Sequence, residues 1–569
     1  MQIAKVKLEN FRNFQSAVVN FNGNSLVIGG NDVGKTNMFY ALRLLLDRST
    51  PESELEPEES DFHISSDGSH AESLSILIKL NEITQDAVIA RLKGYVSDEG
   101  ECFIAYRASR GDLSYQLLIG HSENDLTEID SRYFLRSIHF KYIQSSRDLG
   151  GFIRKERRNL LKISKDSRKD KQKEADGKKE ASIKTSLEAV NASIAELSYV
   201  GKATESLNRE LKELSHHNEG YSVGLETKSA DFGKFLDQLS LGATTGGLKV
   251  GLGGDGRNNQ ILLALWKAKS EAEHDIEDEA IIYCIEEPES HLHPHQQRKL
   301  AKYLIDKLGG QVLSSTHSPH ITSGFSPDSI IRLLEQSGET RAAGEGCSPC
   351  IADAWAGMGY RMSVIPAEAF FSDGVLLVEG PSEVQFYRAL AQEIGIDLDY
   401  SNICILSVDG VDFAVYVRIL EAMEIPWCMR TDNDVSKVPY SDPAKYRFAG
   451  LNRALKIASE KEYEDRYDIS CPSELTVEWK RTSVLSIPKG IFISKIDLET
   501  DLVEALPDTL KEFSGAKSQK GAIKYLQKRK AIRMGQFIAA HKDALPKLMD
   551  DDLAMPLHFL KALAETRNG

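Results

Sequence analysis

The chain has 569 residues, of which 41% are hydrophobic and 27% are charged, and its formal net charge is −15. This length exceeds what one hydrophobic core supports and predicts two to four domains. The acidic balance argues against a wholly basic nucleic-acid coat protein, although a local basic surface or bound metal ions would still allow DNA binding. The absence of a run of about twenty apolar residues predicts no membrane span. A strand-like N-terminus without a signal-peptide pattern and seven scattered cysteines favour a reducing cytoplasm.

The first part of the chain alternates short apolar strands with one strong helix and contains a phosphate-binding motif. "GGNDVGKT", residues 29–36, fits G-x-x-x-x-G-K-[ST] between a predicted strand and a predicted helix. In such a loop the backbone amides surround phosphates, the lysine reaches the β- and γ-phosphates, and the threonine binds Mg²⁺. We therefore predict an ATP site with Mg²⁺, formed by Gly29, Asn31, Gly34, Lys35, Thr36 and Asn37.

Acids and a histidine downstream complete the expected nucleotide site. The apolar run "IIYCIEEPE" ends in Glu286, predicted to approach Mg²⁺, and Glu287, predicted to act as the catalytic acid on the attacking water. His317, in "SSTHSPH", follows at the end of the next predicted strand and could sense the γ-phosphate. Upstream, residues 252–260, "LGGDGRNNQ", either cap a phosphate from a second subunit or form a bare glycine turn.

The stretch between these two parts is helical in pattern and begins with a basic run. Residues 154–184 contain thirteen basic and six acidic residues, which is typical of a solvated helix or loop and leaves DNA contact as the alternative. An apolar stripe with 4-3-4-3 spacing follows, which indicates a helical hairpin or a dimer contact, or else packing on its own domain. Its members are Ile183, Leu187, Val190, Ile194 and Leu197.

The order of phosphate loop, helical insert, glycine signature, acid pair and histidine resembles the ABC ATPase heads of the SMC, Rad50 and RecF type. The resemblance implies that nucleotide lies between two protomers, so at least a dimer forms through the heads and the insert. Two departures stand out, since Glu286 replaces the usual aspartate and the signature lacks the usual serine. We therefore expect slow turnover and a head that senses nucleotide.

A second set of acids follows three further predicted strands, in the strings "VEGPSE", "RTDND" and "SKIDLETD". In the first string the two glutamates are one helical turn apart. In the other two strings, acids at i and i+2 are predicted to share a strand face. Acids at the carboxyl ends of parallel strands converge at one edge, and two Mg²⁺ or Mn²⁺ ions would relieve their repulsion. The expected ligands are Glu379, Glu383, Asp432, Asp434, Asp497 and Glu499.

The pattern E-G-x-x-E followed by D-x-D resembles the Toprim domain of topoisomerases, primases and OLD (overcoming lysogenisation defect) nucleases. Over nearly the whole chain, "LVEGPSE", "TDNDV", "IDLETDL" and "YLQKRK" resemble the nuclease (GajA) family of Gabija antiphage systems. This resemblance implies a two-metal DNA endonuclease with a lysine that supports the transition state. Lys530 is the preferred lysine and Lys528 the next, the alternative being a solvated basic helix. The implied catalytic acids are Glu379, Asp432, Asp434 and Asp497.

The predicted fold class is α/β, with an ABC-type P-loop ATPase head, a helical dimerisation insert, a Rossmann-like Toprim domain and C-terminal helices. The resemblance implies double-stranded DNA as substrate, a dimer or tetramer of this chain, a UvrD-like helicase partner and no membrane. The predicted boundaries are 1–150 and 226–345 for the two lobes of the head, 151–225 for the insert, 346–510 for Toprim and 511–569 for the C-terminal helices.

A RecF- or SMC-like ATP-dependent DNA clamp without nuclease activity is the main alternative, and the six acids with a nearby lysine argue against it. A topoisomerase needs a nucleophilic tyrosine in a separate breakage domain, and a primase needs a zinc module; neither is identifiable. The sequence leaves open which DNA is cut, whether one or both strands are cut, and whether ATP activates or inhibits. Our hypothesis is that nucleotide in the head holds the Toprim pair inactive.

Overall fold

The structure is a computed structural model, and its residues fall into two compact units. The first unit comprises residues 1–145, 278–289 and 293–569, and the second comprises 146–277 and 290–292. The described residues are 1–144, 149–198, 279–347 and 367–568, except 93, 291, 337, 409–411, 442–444 and 470, together with isolated positions between 243 and 265.

The strands of the head and the insert are β1 (Gln2–Phe11), β2 (Phe14–Asn20), β3 (Ser25–Ile28), β4 (Ser73–Asn81), β5 (Cys102–Ser109), β6 (Tyr115–Ser122), β7 (Asp125–Ile129), β8 (Ile138–Ile143), β9 (Ala243–Thr245), β10 (Leu248–Val250), β11 (Ala280–Glu286), β12 (Gln311–Ser315), β13 (Ile330–Gln336) and β14 (Glu339–Ala342). The C-terminal strands are β15 (Gly374–Val378), β16 (Ile403–Ser407), β17 (Trp427–Thr431), β18 (Val435–Lys437), β19 (Lys445–Phe448), β20 (Tyr467–Asp468) and β21 (Ile491–Ile493).

The described α-helices of the head and insert are α1 (Lys35–Leu46), α2 (Asp86–Arg91), α3 (Leu149–Asp166), α4 (Asp170–Ala195), α5 (Pro294–Asp306) and α6 (Pro319–Thr322). Those of the C-terminal part are α7 (Pro381–Glu393), α8 (Phe413–Ala422), α9 (Ala449–Ile457), α10 (Pro472–Ser486), α11 (Leu498–Ala505), α12 (Pro507–Ser514), α13 (Gln519–Gln527), α14 (Lys530–His541) and α15 (Met555–Asn568).

The head contains a largely parallel sheet of order β14-β13-β3-β12-β11-β8 and an antiparallel sheet of order β2-β1-β4-β5-β6-β7. Every residue of β3 and β11 is buried, as expected for continuous apolar strands of a parallel sheet covered on both faces. The parallel register pairs Ser315 with both Glu286 and Val27. The phosphate loop, the acid pair and the segment that carries His317 therefore leave the sheet at the same edge.

The C-terminal part is built on a parallel sheet of order β16-β15-β17-β21, so the predicted α/β class is confirmed. The helices after residue 511 pack onto this sheet because their apolar faces join its core. Leu526, Phe537 and Leu560 lie in one buried cluster with Leu376 and Val378 of β15. This packing brings Lys530, at the start of α14, to the carboxyl edge of the sheet.

Two local predictions about the acids are wrong. β21 ends at Ile493, and Asp497 is the N-cap of α11 with Glu499 in its first turn, so no strand places this pair on one face. β17 ends at Thr431, and the left-handed backbone of Asp434 (φ 44°) turns the chain there. The acids still converge because a helix N-terminus and two strand ends meet at one edge.

Buried polar contacts join the head to the C-terminal sheet. Arg332, on β13, is 7% exposed and donates to Met423 O (3.3 Å), Glu424 O (3.2 Å) and Ser372 O (3.0 Å). Arg341, on β14, forms a two-pronged pair with the Glu424 carboxylate, at 2.6 Å from Nη1 and 2.5 Å from Nη2. Since β13 pairs with β3, these contacts start one strand away from the phosphate loop.

Of the second unit, the structure describes α3, α4, the pair β9–β10 and a few single positions. The basic run lies along α3 and α4, where its described lysines are exposed. Ile183 and Val190 of the apolar stripe are 38% and 51% exposed. Residues 252–260 lie outside the described residues. Among the residues that are described, no helix is long and apolar enough to cross a membrane.

Candidate functional site

The phosphate loop is held in a shape that needs glycine. Gly34 caps α1 with a left-handed backbone (φ 96°). The Lys35 ammonium group folds back over the loop and donates to Gly29 O (3.1 Å) and Gly30 O (2.6 Å). Burial lowers the pKa of Lys35. Asn31 and Thr36 are exposed on the open side of the loop. The loop therefore combines an exposed hydroxyl with an ammonium group that now caps the loop's own carbonyls, and both are donors that suit a nucleotide's phosphates.

The acids and the histidine lie together beside this loop. Glu286 is 2% exposed and accepts a hydrogen bond from the Tyr142 hydroxyl at 2.8 Å. Glu287 has a left-handed backbone (φ 42°), and its Oε1 lies 3.6 Å from His317 Nε2. Burial and the charge of Lys35 lower the pKa of His317. A neutral histidine beside a carboxylate and an ammonium group can respond to a γ-phosphate.

Glu289 is a site residue that the sequence analysis missed. Its Oε1 accepts from Thr316 Oγ1 at 2.6 Å and from His317 N at 2.9 Å. These bonds tie the segment after β12 to the segment after β11 and so position the histidine. The signal was present in the string "EEPES", whose third acid follows the pair at a spacing that the strand pattern alone does not explain.

Gly34→Ala is expected to destabilise the protein by about 1–3 kcal/mol, because alanine resists this backbone conformation. Its Cβ would also lie 2.1 Å from Asn13 Nδ2. Gly30→Ala is the matched control, since no atom lies within 4 Å of a Cβ at that position. Thermal unfolding with and without ATP measures both variants. Equal melting temperatures for the two would show that the loop does not depend on the backbone shape of Gly34.

Glu379 and Glu383 open the C-terminal site at the end of β15. Glu379 Oε1 accepts from Asp432 N (2.8 Å) and from Thr431 Oγ1 (2.7 Å), which links the ends of β15 and β17. Glu383, in the first turn of α7, accepts from Gly380 N at 2.7 Å. Burial raises the pKa of Glu383 to about 7.

Lys530 lies between the buried Glu499 and the partly buried Asp432. Its Nζ is 3.1 Å from Glu499 Oε2 and 3.8 Å from Asp432 Oδ2. Burial, reinforced by the charges of Glu379 and Glu383, raises the pKa of Asp432 to about 8. Although burial opposes it, the charge of Glu499, followed by that of Asp432, raises the pKa of Lys530 to about 12. Lys528, the other candidate lysine, is exposed at the end of α13.

Both carboxylate oxygens of Asp497 are engaged within the fold. Oδ1 accepts from Thr500 N at 2.8 Å and from Thr500 Oγ1 at 2.5 Å, which caps α11. Oδ2 accepts from Gln527 Nε2 at 2.6 Å, which ties α11 to α13. Asp497 thereby positions Glu499 and the turn before Lys530.

Arg453, on α9, is a second residue that the sequence analysis missed. Its guanidinium donates to Glu379 Oε1 and to Asp434 Oδ2, both at 2.8 Å. It lies in the string "GLNRAL". A position some twenty residues past the acids carries no local signal of contact with them.

The chemistry of the acid cluster suits a hard divalent cation. Asp432 Oδ1 and Glu499 Oε1 are buried and have no hydrogen-bond donor, and carboxylate oxygens are among the ligands that Mg²⁺ and Mn²⁺ prefer. Among the described residues, no three His, Cys, Asp or Glu side chains are close enough to hold an ion as they stand. Arg453 and Lys530 take carboxylate contacts that an ion would make. The residues fit a metal site once these contacts loosen.

The two sheets and their sites define a protein in which a P-loop ATPase head precedes a TOPRIM domain. The AAA ATPase domain model matches residues 1–186 and 133–322. The TOPRIM domain model of overcoming lysogenization defect protein-like proteins matches residues 370–434. The chain belongs to the AAA ATPase domain family and carries an OLD-like TOPRIM domain. The predicted combination of an ATPase head with an OLD-type TOPRIM domain is confirmed.

Three curated proteins illustrate the relationship. The chain is 26% identical over 570 residues to Endonuclease GajA of Bacillus cereus strain VD045, and the alignment covers 95% of each chain. It is 30% identical over 169 residues to the Old nuclease of Escherichia phage P2, covering 28% of each. It is 27% identical over 162 residues to the OLD nuclease of Thermus scotoductus, covering 26% of this chain and 30% of that protein.

Proposed function

We propose that this chain is a divalent-metal-dependent DNA endonuclease of the OLD type that acts in antiphage defence and is regulated by nucleotide in its ATPase head. The observation that carries this proposal is the pair Asp432 and Glu499 around Lys530 at the carboxyl edge of the TOPRIM sheet, with Glu379 bonded to the Asp432 amide. Similarity to an endonuclease over 95% of both chains supports the same activity.

The TOPRIM residues take separate roles in this proposal. Two divalent ions, Mg²⁺ or Mn²⁺, would supply Lewis-acid stabilisation of the attacking and leaving oxygens of the phosphodiester. Glu379, Glu383, Asp432, Asp434, Asp497 and Glu499 are the proposed ligands. Lys530, whose pKa is raised to about 12, stays protonated and stabilises negative charge on the phosphate as it develops.

The head residues are proposed to bind ATP with Mg²⁺. Lys35 holds the β- and γ-phosphates, Glu286 faces Mg²⁺, Glu287 orients the attacking water, and His317 senses the γ-phosphate. The same nucleotide is proposed to contact Gly29, Asn31, Gly34, Thr36 and Asn37. Occupancy of the head is proposed to keep the TOPRIM site inactive, with Arg332 and Arg341 as the physical link between the two.

The remaining parts of the proposal concern assembly and setting. Double-stranded DNA is the proposed substrate, and a dimer through the heads and the insert, assembling to a tetramer, is the proposed oligomer. The exposed apolar residues Ile183 and Val190 on α4 favour such pairing. A UvrD-like helicase partner, a cytoplasmic location and the domain boundaries given above complete the proposal.

Cleavage of plasmid and linear DNA by the purified full chain tests this function. Cutting is expected with Mg²⁺ or Mn²⁺, and EDTA should abolish it. Glu379→Ala should lower the rate by at least about a hundredfold, because the acids position the metal ions. Lys35→Ala is expected to lose the effect of ATP on cutting. Metal-dependent DNA binding without cleavage would instead favour the clamp.

A further inference from the structure

One side-chain cation bridges two of the acids that are proposed to bind metal. Arg453 Nη1 donates to Glu379 Oε1 and to Thr431 Oγ1, while Nη2 donates to Asp434 Oδ2. Both nitrogen-to-carboxylate distances are 2.8 Å. A guanidinium group is planar and always charged, so these bonds place a fixed positive charge between the segments that follow β15 and β17.

The surroundings of Arg453 hold it there and also leave space beside it. Its guanidinium carbon lies 5.8 Å from the ring centre of the buried Phe413, and the buried Leu451 and Leu455 anchor α9. A cavity of about 490 Å³ opens next to the bridge, lined by Glu379, Arg453, Lys456 and others. The side chain, 28% exposed, can therefore leave the acids without disturbing the core.

We propose that Arg453 is an internal counter-ion that a divalent metal ion must displace from Glu379 and Asp434. The inference rests on the proposed nuclease function and deepens it. A guanidinium group and a metal ion that contact the same carboxylates repel each other at that distance, so the two cations compete for Glu379 and Asp434. Only molecules in which Arg453 has released the acids can bind the metal ion. The apparent metal affinity is therefore the intrinsic affinity multiplied by the fraction of such molecules.

The consequence is a site in which four of the acids stay paired with side-chain cations until free metal is sufficient to compete. In the metal-free protein Arg453 balances the charge of Glu379 and Asp434, and Lys530 balances Asp432 and Glu499. The first pair lies beside the open cavity, into which the arginine side chain has room to move.

Mn²⁺ binding to the full chain, followed by electron paramagnetic resonance, tests the inference directly. Arg453→Gln is expected to bind Mn²⁺ about tenfold more tightly than the wild type, since Glu379 and Asp434 no longer have to release a guanidinium group before they bind the ion. Arg453→Lys, which keeps the charge but not the two-pronged geometry, should fall between the two. Lys456→Gln removes the same charge one turn away on α9 and should change the affinity by less than about twofold.

Thermal unfolding provides a second readout, because substitution of a merely structural arginine would lower the melting temperature equally with and without Mn²⁺. Arg453→Gln should melt at a lower temperature than the wild type in EDTA, yet gain more on addition of Mn²⁺. Unchanged or weaker Mn²⁺ binding by Arg453→Gln would overturn the inference while leaving the nuclease intact. Mn²⁺ binding that is absent from the wild type, or unaffected by Glu379→Ala, would overturn the proposed metal site itself.

Discussion

Lys530→Ala is expected to reduce metal-dependent DNA cleavage by at least about a hundredfold, the usual effect of removing a preorganised charge from an active site. The ammonium group lies 3.1 Å from Glu499 and 3.8 Å from Asp432, so it points into the acid cluster. Single-turnover cleavage of a labelled duplex at saturating Mn²⁺ measures the loss in the chemical step.

Lys528→Ala is the matched control, because this lysine is exposed and two residues away on the chain. It should cut at close to the wild-type rate. Mn²⁺ titration and thermal unfolding of both variants separate a lost catalytic charge from a collapsed site. If Lys530→Ala cut normally and Lys528→Ala did not, the assignment of the lysine would be reversed.

Arg332→Ala is expected to lower the free energy of unfolding by about 3–5 kcal/mol, as is typical when one partner of a buried charged network is removed. The carbonyls of Met423, Glu424 and Ser372 would lose their shared donor in a buried location. The loss is also expected to remove the response of cleavage to ATP, because the link starts one strand away from the phosphate loop. Urea unfolding and cleavage with and without ATP measure the two effects.

Arg341→Ala serves as the comparison for Arg332. Its pair with Glu424 is about one-third exposed on each side, so its removal should cost about 1 kcal/mol or less. A wild-type urea midpoint for Arg332→Ala would contradict the buried linkage. Loss of stability with an unchanged ATP response would support the buried Arg332 contacts but show that they do not transmit regulation by ATP.

Sequence reasoning could predict the candidate head site and most of the candidate TOPRIM acids because their signals are local. A glycine-rich loop between a strand and a helix, or acids after an apolar strand, depends on residues within about ten positions of each other. The same reasoning misjudged Asp497 and Glu499, which belong to a helix N-terminus. An N-cap aspartate and a strand-end aspartate look alike when the apolar strand stops four residues earlier.

The sequence alone determined the α/β class, the phosphate loop, the acid pair Glu286 and Glu287, and the need for a cation near the second set of acids. These follow from short-range patterns of polarity and from the repulsion of neighbouring carboxylates. Only the tertiary structure decided which groups meet across long separations. It brought Arg453 to Glu379, Lys530 rather than Lys528 to Asp432, and Arg332 to the TOPRIM domain, because helix packing and strand order set those distances.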